Sequence, residues 1–560
     1  MTFKLRTLSF LTLLCLLTAC KTKTPEIQII SVSEFEDKLK AGWIGQMVGV
    51  GWAAPTEFKW IGDLIPEDEI PQWTPETVNQ FGQDDMYVEM TFVETLEKHG
   101  IDVSIRQAGI DFANTQYGLA VANDLSRENL RRGIAPPASG HPQFSNTCEA
   151  IDYQIEADYS GIIAPGMPQV PIELGEKFGK IMNYGDGMYA GQFVGAMYSA
   201  AYFETDMKKV VEIGLASIPD KSLYAICMRD VIAWYDEDPV NWKATWKKIV
   251  DKYYNTLDHQ PFFKATPEAW AGIDAKLNGA FIVLGLLYGQ GDIDSTFYIS
   301  TCAGFDSDCN PSNALGILFT SKGLNNIPEK YYSGLDETTK FSYTNYTFPE
   351  LIETSKKLTM QFLAKYGGKI ETGSDQQQYL MIPVMKPKLS KLEHSWEPTP
   401  LDEASIYFSE NEKKEIKFLP SSAFNEILSV FAPEWLINNA TTDAKPELIS
   451  LYGREDVLQM AYFENGSCNI RHELIVPDIK NPKLVVSVAN DPGKTWELDI
   501  RFNWYSVYTI EVNDKLTKNG WYDVVYDLSE YRGKKLFISM HGHDTEGDNS
   551  KVYLSNLNIN

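Results

Sequence analysis

One change of rhythm constrains this chain more than any other feature. Apolar residues recur at helical spacing from about Ser31 to Lys365, and at every second position after about Pro387. A period near 3.6 buries one stripe of a helix, whereas a period of two buries one face of a sheet, so the two regions cannot share one kind of layer. The first region opens with "SEFEDKLKAGWIGQMVGVGW", in which Ser33 and Glu36 form a capping-box pattern and Leu39, Trp43 and Met47 share a helix face. Met86, Met90, Val93 and Leu96 fit a second helix closed by Gly100, and the segments 189–204 and 277–289 predict helices buried on most sides. The second region, with "KLVVSVAND", "WELDIRFNWYSVYTIEVND" and "SKVYLSNLNIN", predicts short antiparallel strands stacked as a sandwich. The Pro-rich piece 385–404 between them reads as a linker or a domain-packing segment.

The N-terminus carries a different message. Lys4 and Arg6 precede an apolar run from Leu8 to Leu17, well short of the ~20 residues a membrane span needs, and "LTAC" ends at Cys20. That pattern resembles a bacterial lipobox and predicts a signal peptide over 1–20, lipidation of Cys20, and a soluble body tethered to a bacterial cell envelope. The outer membrane is the expected place, on either its periplasmic or its surface face. The remaining cysteines, Cys148, Cys227, Cys302, Cys309 and Cys468, are odd in number and scattered, so buried free thiols are expected instead of a disulfide framework. A net charge of −26 argues against a general nucleic-acid surface, and no nucleic-acid partner is expected.

Chemistry enters with two aspartate pairs, each just ahead of a helix. Asp84 and Asp85 stand in "FGQDDMYVEM", and Asp306 and Asp308 stand in "CAGFDSDCNPSNALGILF", where Asn310 is placed to cap and Pro311 to open the helix. If the two helix starts converge, four carboxylates meet, and that charge demands cations or raised pKa values. A third stretch, "GWIGQMVGVGWAAPTEF", is a glycine-punctuated helix running into Pro55 and Glu57.

Together "GVGWAAPTE", "QDDM" and "FDSDC", in this order, resemble the ADP-ribosylglycohydrolase family over about Leu39 to Phe319. The resemblance implies an all-α catalytic domain (residues 21–385), followed here by a β-sandwich (386–560) similar to galactose-binding jelly rolls. It implies a glycosyl hydrolase that cleaves an N- or O-glycosidic bond of a ribose-like or other sugar in a small-molecule or oligosaccharide substrate. By the same resemblance Asp84, Asp85, Asp306 and Asp308, with Gln83, hold one or two divalent cations, Mg²⁺ with Mn²⁺ or Ca²⁺ as alternatives. Glu57 and Asp85 become the catalytic residues, and Asn183, Tyr184 and Asp186 the substrate-binding loop, with the segment 158–168 near the substrate.

Three positions depart from the family pattern: Val50 stands in place of an aspartate, Gln83 of a threonine and Cys309 of another threonine. A metal-free glycosidase and a non-catalytic glycan-binding lipoprotein therefore stay open as alternatives. His141 lies in a Pro- and Gly-rich loop as a surface or pocket-rim histidine. In the strand region, His541 and His543 near Asp544 and Asp548 are weighed as a metal site, and Trp496, Trp504, Tyr505, Tyr508 and Trp521 as sugar-stacking or core aromatics.

Overall fold

The structure is a computed structural model, and it describes residues 26–560 apart from 267–270, 439–443, 463–466, 503–504, 519, 546 and 548–549. Cys20 therefore lies outside the described residues, as do Trp504 and Asp548. Within them no helix is long and apolar enough to cross a membrane.

A helical body comes first and two antiparallel sheets follow, the order that the two periodicities predict. Helix α1 (Val32–Ala53) runs through the centre of the body, with Phe35, Leu39, Trp43 and Met47 fully buried. Burying each such side chain contributes ~1.5–3 kcal/mol. Its cap is Ser31, whose hydroxyl accepts from the Glu34 N–H at 3.1 Å, and not the expected Ser33. The stretch SVSEFE offers a Ser with a Glu three residues on in two registers, and the helix takes the earlier one.

Glycines let α1 lie directly on α5 (Cys309–Lys322). A Cβ on Gly45 would stand 2.6 Å from the Leu315 carbonyl oxygen, and one on Gly49 would stand 2.3 Å from that of Pro311. Around this pair stand α2 (Asp84–His99), α3 (Asp186–Ala201) and α4 (Ala275–Gly289); α3 and α4 are buried on every side, as their Ala- and Gly-rich sequences imply. The amphipathic α6 (Phe348–Lys365) starts at a Thr347–Glu350 capping box and accepts the Trp43 indole N–H on Ser355 at 3.3 Å.

A feature without a local sequence signal is a small sheet within this body. Strand β1 (Ile27–Ser31) pairs antiparallel with β3 (Gln378–Pro383), which also pairs with β2 (Lys369–Thr372). The Pro-rich segment then straps the helices: the Tyr189 hydroxyl donates to the Lys391 carbonyl at 2.6 Å, and the Thr399 N–H donates to the Tyr184 hydroxyl at 3.0 Å. Apolar residues up to Ile416 pack with the helical core, and a separate core begins at Phe418.

That second core lies between two five-stranded sheets. One has the order β10-β9-β12-β7-β4, built from β4 (Leu436–Asn438), β7 (Ser467–Ile475), β9 (Trp496–Phe502), β10 (Tyr505–Val512) and β12 (Lys535–His543). The other has the order β11-β8-β13-β6-β5, from β5 (Glu447–Leu451), β6 (Arg454–Met460), β8 (Lys483–Ala489), β11 (Tyr522–Asp527) and β13 (Val552–Ile559). Trp496, Leu498 and Ile500 of one sheet and Leu484, Val486 and Val488 of the other alternate inward, as period two requires. Arg471 of β7 reaches the helical body through an ion pair with Asp124 at 2.7 Å.

Candidate active site

The two aspartate pairs converge. Asp84 and Asp85 are the first two residues of α2, and Asp308 immediately precedes α5, so two helix N-termini, each favourable to negative charge, meet at one point. The Cys309 thiol donates to Asp85 at 3.2 Å and lies 3.8 Å from Asp308, linking motifs 224 residues apart. Asp308 occupies the cap position expected of Asn310, and the Asn310 amide instead donates to Asn278 on α4 at 3.2 Å. Asn278 also accepts the Asp306 N–H at 3.4 Å.

The third motif is strapped to the second aspartate loop. The Phe58 N–H donates to the Phe305 carbonyl at 2.9 Å, the Phe305 N–H donates to that of Trp60 at 2.8 Å, and the Thr56 and Ser307 hydroxyls lie 2.8 Å apart. Close approach here requires glycine: Gly304 has φ +73°, and a Cβ on it would stand 2.6 Å from the Trp60 carbonyl oxygen. Phe58 and Phe305 both hold positive φ. Glu57, half-buried on this strap, acts electrostatically on Asp306.

The resulting charge is extreme. Asp85, Asp306 and Asp308 are each at most 3% exposed. Burial first, and then Asp84 and Asp308, push Asp85 well above the carboxylate range; burial, Glu57 and Asp85 do so for Asp306, and burial and Asp306 for Asp308. Asp84 keeps solvent-exposed surface at the rim. Packing around it pushes its carboxyl up, opposed by its own N–H and that of Asp85, and the displacement is less than for the other three. One oxygen of Asp85 and both of Asp306 are buried without a hydrogen bond of good geometry. Such oxygens, together with ligand atoms of Asp306, Asp308 and Cys309 all within 4.8 Å of one another, fit a divalent cation. Gln83 sits at the cap position of α2, half-buried, its amide 3.4 Å from Gln80.

Behind this cluster stands an acidic layer in which sequence reasoning singled out only Asp158, as the start of the segment 158–168, and left Glu89, Asp152 and Glu156 unassigned. Glu89, one turn beyond Asp85 on α2, accepts the Tyr159 N–H at 2.9 Å, and burial and Asp158 raise it well above its usual range. Asp158 accepts from the amides of Gln46 and Asn313, the latter at 2.9 Å, and burial carries it to about 7. The available signal was a glutamate four residues after Asp85 among Met86, Val88 and Met90, where a core face should be apolar. A further pair, Asp152 and Glu156, is held by Asn123.

Three residues beyond Asp84 on α2, Tyr87 packs against Tyr117 and Tyr343 with ring centroids 4.7 and 5.3 Å away. Tyr343 is 51% exposed. The Ser342 N–H donates to the Phe81 carbonyl at 2.7 Å, fixing this turn beside the segment that leads into Asp84.

Asn183, Tyr184 and Asp186 make their hydrogen bonds and ion pair with groups other than the four aspartates. Asn183 supports backbone, donating to the carbonyls of Cys148 and Ala150 and accepting from Tyr153. Asp186 accepts the Tyr224 N–H at 3.2 Å and lies 3.8 Å from Lys276, which pairs with Glu149 at 2.6 Å and Asp274 at 3.0 Å. Tyr184 packs edge-on against His141, which is buried and not a surface residue. His141, Trp396 and Phe262 line a separate cavity of about 410 Å³.

In the sandwich, His541 lies beside Arg501, and burial lowers its pKa to about 3, which keeps the imidazole neutral. Trp496 is core, and Trp521 lies under the Arg454 guanidinium. All five described cysteines are free and buried.

A family model described as ADP-ribosylglycohydrolase matches residues 31–365, the span that holds Glu57 and both aspartate pairs. Among solved structures, one titled "ADP-ribosylglycohydrolase-related protein complex" is similar over 59% of this chain and 99% of its own, at 13% identity and a TM-score of 0.37. Another, titled "CBM4 structure and function", matches 22% of this chain and 84% of its own, at 12% identity and a TM-score of 0.16. No curated protein matches the chain.

Proposed function

Because this chain belongs to the ADP-ribosylglycohydrolase family, we propose that it hydrolyses a glycosidic bond at the site where Glu57 and the two aspartate pairs meet. The observation that carries this reading is the Cys309 bridge between Asp85 and Asp308, with both Asp306 oxygens buried and poorly satisfied beside it. When bound there, a divalent cation supplies Lewis-acid polarisation and neutralises the carboxylates.

The side chains divide the remaining work. Asp85, Asp306 and Asp308 hold the cation, with Asp84 and Gln83 at the open rim next to the sugar hydroxyls. Glu57, half-exposed on its strap, holds or moves the proton of the water that attacks the anomeric carbon as positive charge develops on the ring. Tyr343, half-exposed and backed by the buried Tyr87, offers an aromatic face against which a ring can stack. Gln46 and Asn313 fix Asp158, which adds to the repulsion that burial, Asp84 and Asp308 impose on Asp85. In this reading Cys20 carries the lipid and the hydrolase works in the cell envelope; a diacylglyceryl mass on an N-terminal Cys20 peptide is the expected result, and an unmodified peptide contradicts it.

The test is hydrolysis of a panel of aryl furanosides, aryl pyranosides and ADP-ribosyl-arginine by the chain from residue 21 onward, with and without chelator. We expect turnover of at least one class, abolished by chelator and reduced by ~10²-fold or more in Glu57→Gln. Turnover that survives chelator would replace cation assistance with acid/base work by the carboxylates alone, and no turnover of any class would contradict the reading.

A further inference from the structure

We infer that Cys309 is itself a ligand, so that the site selects a thiolate-accepting divalent ion of the Zn²⁺ type over Mg²⁺; this rests on the cation-assisted reading above. Cys309 is the first residue of α5 and is 5% exposed. Its sulfur and the carboxylates of Asp306 and Asp308 offer atoms within 4.8 Å of one another, the one such convergence of three His, Cys, Asp or Glu side chains among the described residues. Tetrahedral bonds of ~2.0–2.2 Å to oxygen and ~2.3 Å to sulfur place neighbouring ligands ~3.3–3.8 Å apart, so small side-chain rotations close this group on one ion.

An independent observation points the same way. Asp306 is 1% exposed, and neither of its oxygens has a hydrogen bond of good geometry, so the position beside the sulfur is built for a positive partner. Sulfur makes that partner specific. Mg²⁺ demands near-octahedral oxygen ligands and dehydrates reluctantly, whereas thiolate favours Zn²⁺ and its borderline neighbours. Ligation is balanced: the Cys309 S–H bond breaks, its proton leaves to solvent, and the sulfur lone pair forms the bond to the ion. The thiol's hydrogen bond to Asp85 is lost in the same step, and it frees that oxygen for the ion or the substrate.

The experiment uses the chain from residue 21 onward, stripped by chelator and loaded with Co²⁺ as a spectroscopic probe, alongside Cys309→Ser and Cys309→Thr. We expect a sulfur-to-cobalt charge-transfer band in the near ultraviolet for the unaltered chain and none in either variant. In competition titrations, the preference for Zn²⁺ over Mg²⁺ should fall by more than roughly tenfold in Cys309→Thr. Circular dichroism and melting of both variants separate ligand loss from misfolding. Co²⁺ binding without the band, together with an unchanged preference in Cys309→Thr, would overturn this inference and leave the carboxylate site intact, with Cys309 only a donor to Asp85. Failure to bind any divalent ion would overturn both.

Discussion

Asp306 concentrates the chemistry of this molecule in one side chain: both oxygens are buried, and Glu57 and Asp85 repel its charge. Replacing it by Asn should abolish hydrolysis yet raise the melting temperature of the chelator-treated protein. A rise of about 1 °C or more is expected, since each kcal/mol moves a domain of more than 300 residues by ~1–2 °C; a lower melting temperature would contradict the repulsion described here. Asp158 gives a pH prediction. Its carboxyl is raised to about 7 in the fold, so the folded state binds its proton more tightly than the unfolded chain does. That contribution is fully present below the ordinary aspartate pKa and is lost as pH rises through about 7. Metal-free protein should therefore melt at progressively lower temperature between pH 5 and 7.5, and Asp158→Asn should make that slope shallower; equal slopes would contradict it. Single residues were unevenly legible in the sequence. The four aspartates stood out because paired carboxylates precede helices and Asp158 only as the first residue of the segment 158–168, whereas Glu89 read as an ordinary acid until the fold buried it.

Among the elements, α1 and α5 act as one unit, because the glycines of α1 set the height at which the Asp308 loop sits. Gly49→Val should destabilise the helical body by ~1–3 kcal/mol through overpacking against Pro311, and should weaken cation binding although residue 49 touches no ligand. Denaturant unfolding and a cation titration of the same variant check both halves, and unchanged affinity would show that the loop does not depend on this contact. Helix and strand identities were legible where one face keeps its period, as in α2 and the sandwich strands, whereas α3 and α4, buried on every side, were legible from their Ala-, Gly- and apolar-rich runs. Cap registers were less so: Ser31 and Ser33 each precede a glutamate by three residues, and only packing chooses between them. The pairing of β1 with β3 joins Ile27 to Pro383, and no local pattern announces a partner so far along the chain.

For the whole molecule, two cores meet through polar contacts such as Arg471–Asp124, while the strap before Phe418 belongs to the helical body. A chain of residues 21–417 should accordingly melt cooperatively and keep the cation site, as differential scanning calorimetry would show; a non-cooperative or unfolded product would mean that the sandwich completes the first core. The order of the two bodies was legible from the switch in period, but the meeting of motifs 224 residues apart was not, since it depends on helix packing. That meeting is the centre of the account. Calorimetric titration of Mn²⁺ into the chain from residue 21 onward, into Asp85→Asn and into Asp306→Asn tests it most directly: binding in the first and its loss in both variants is predicted, whereas no binding in the first, or undiminished binding in either variant, would contradict a single site built from both aspartate pairs.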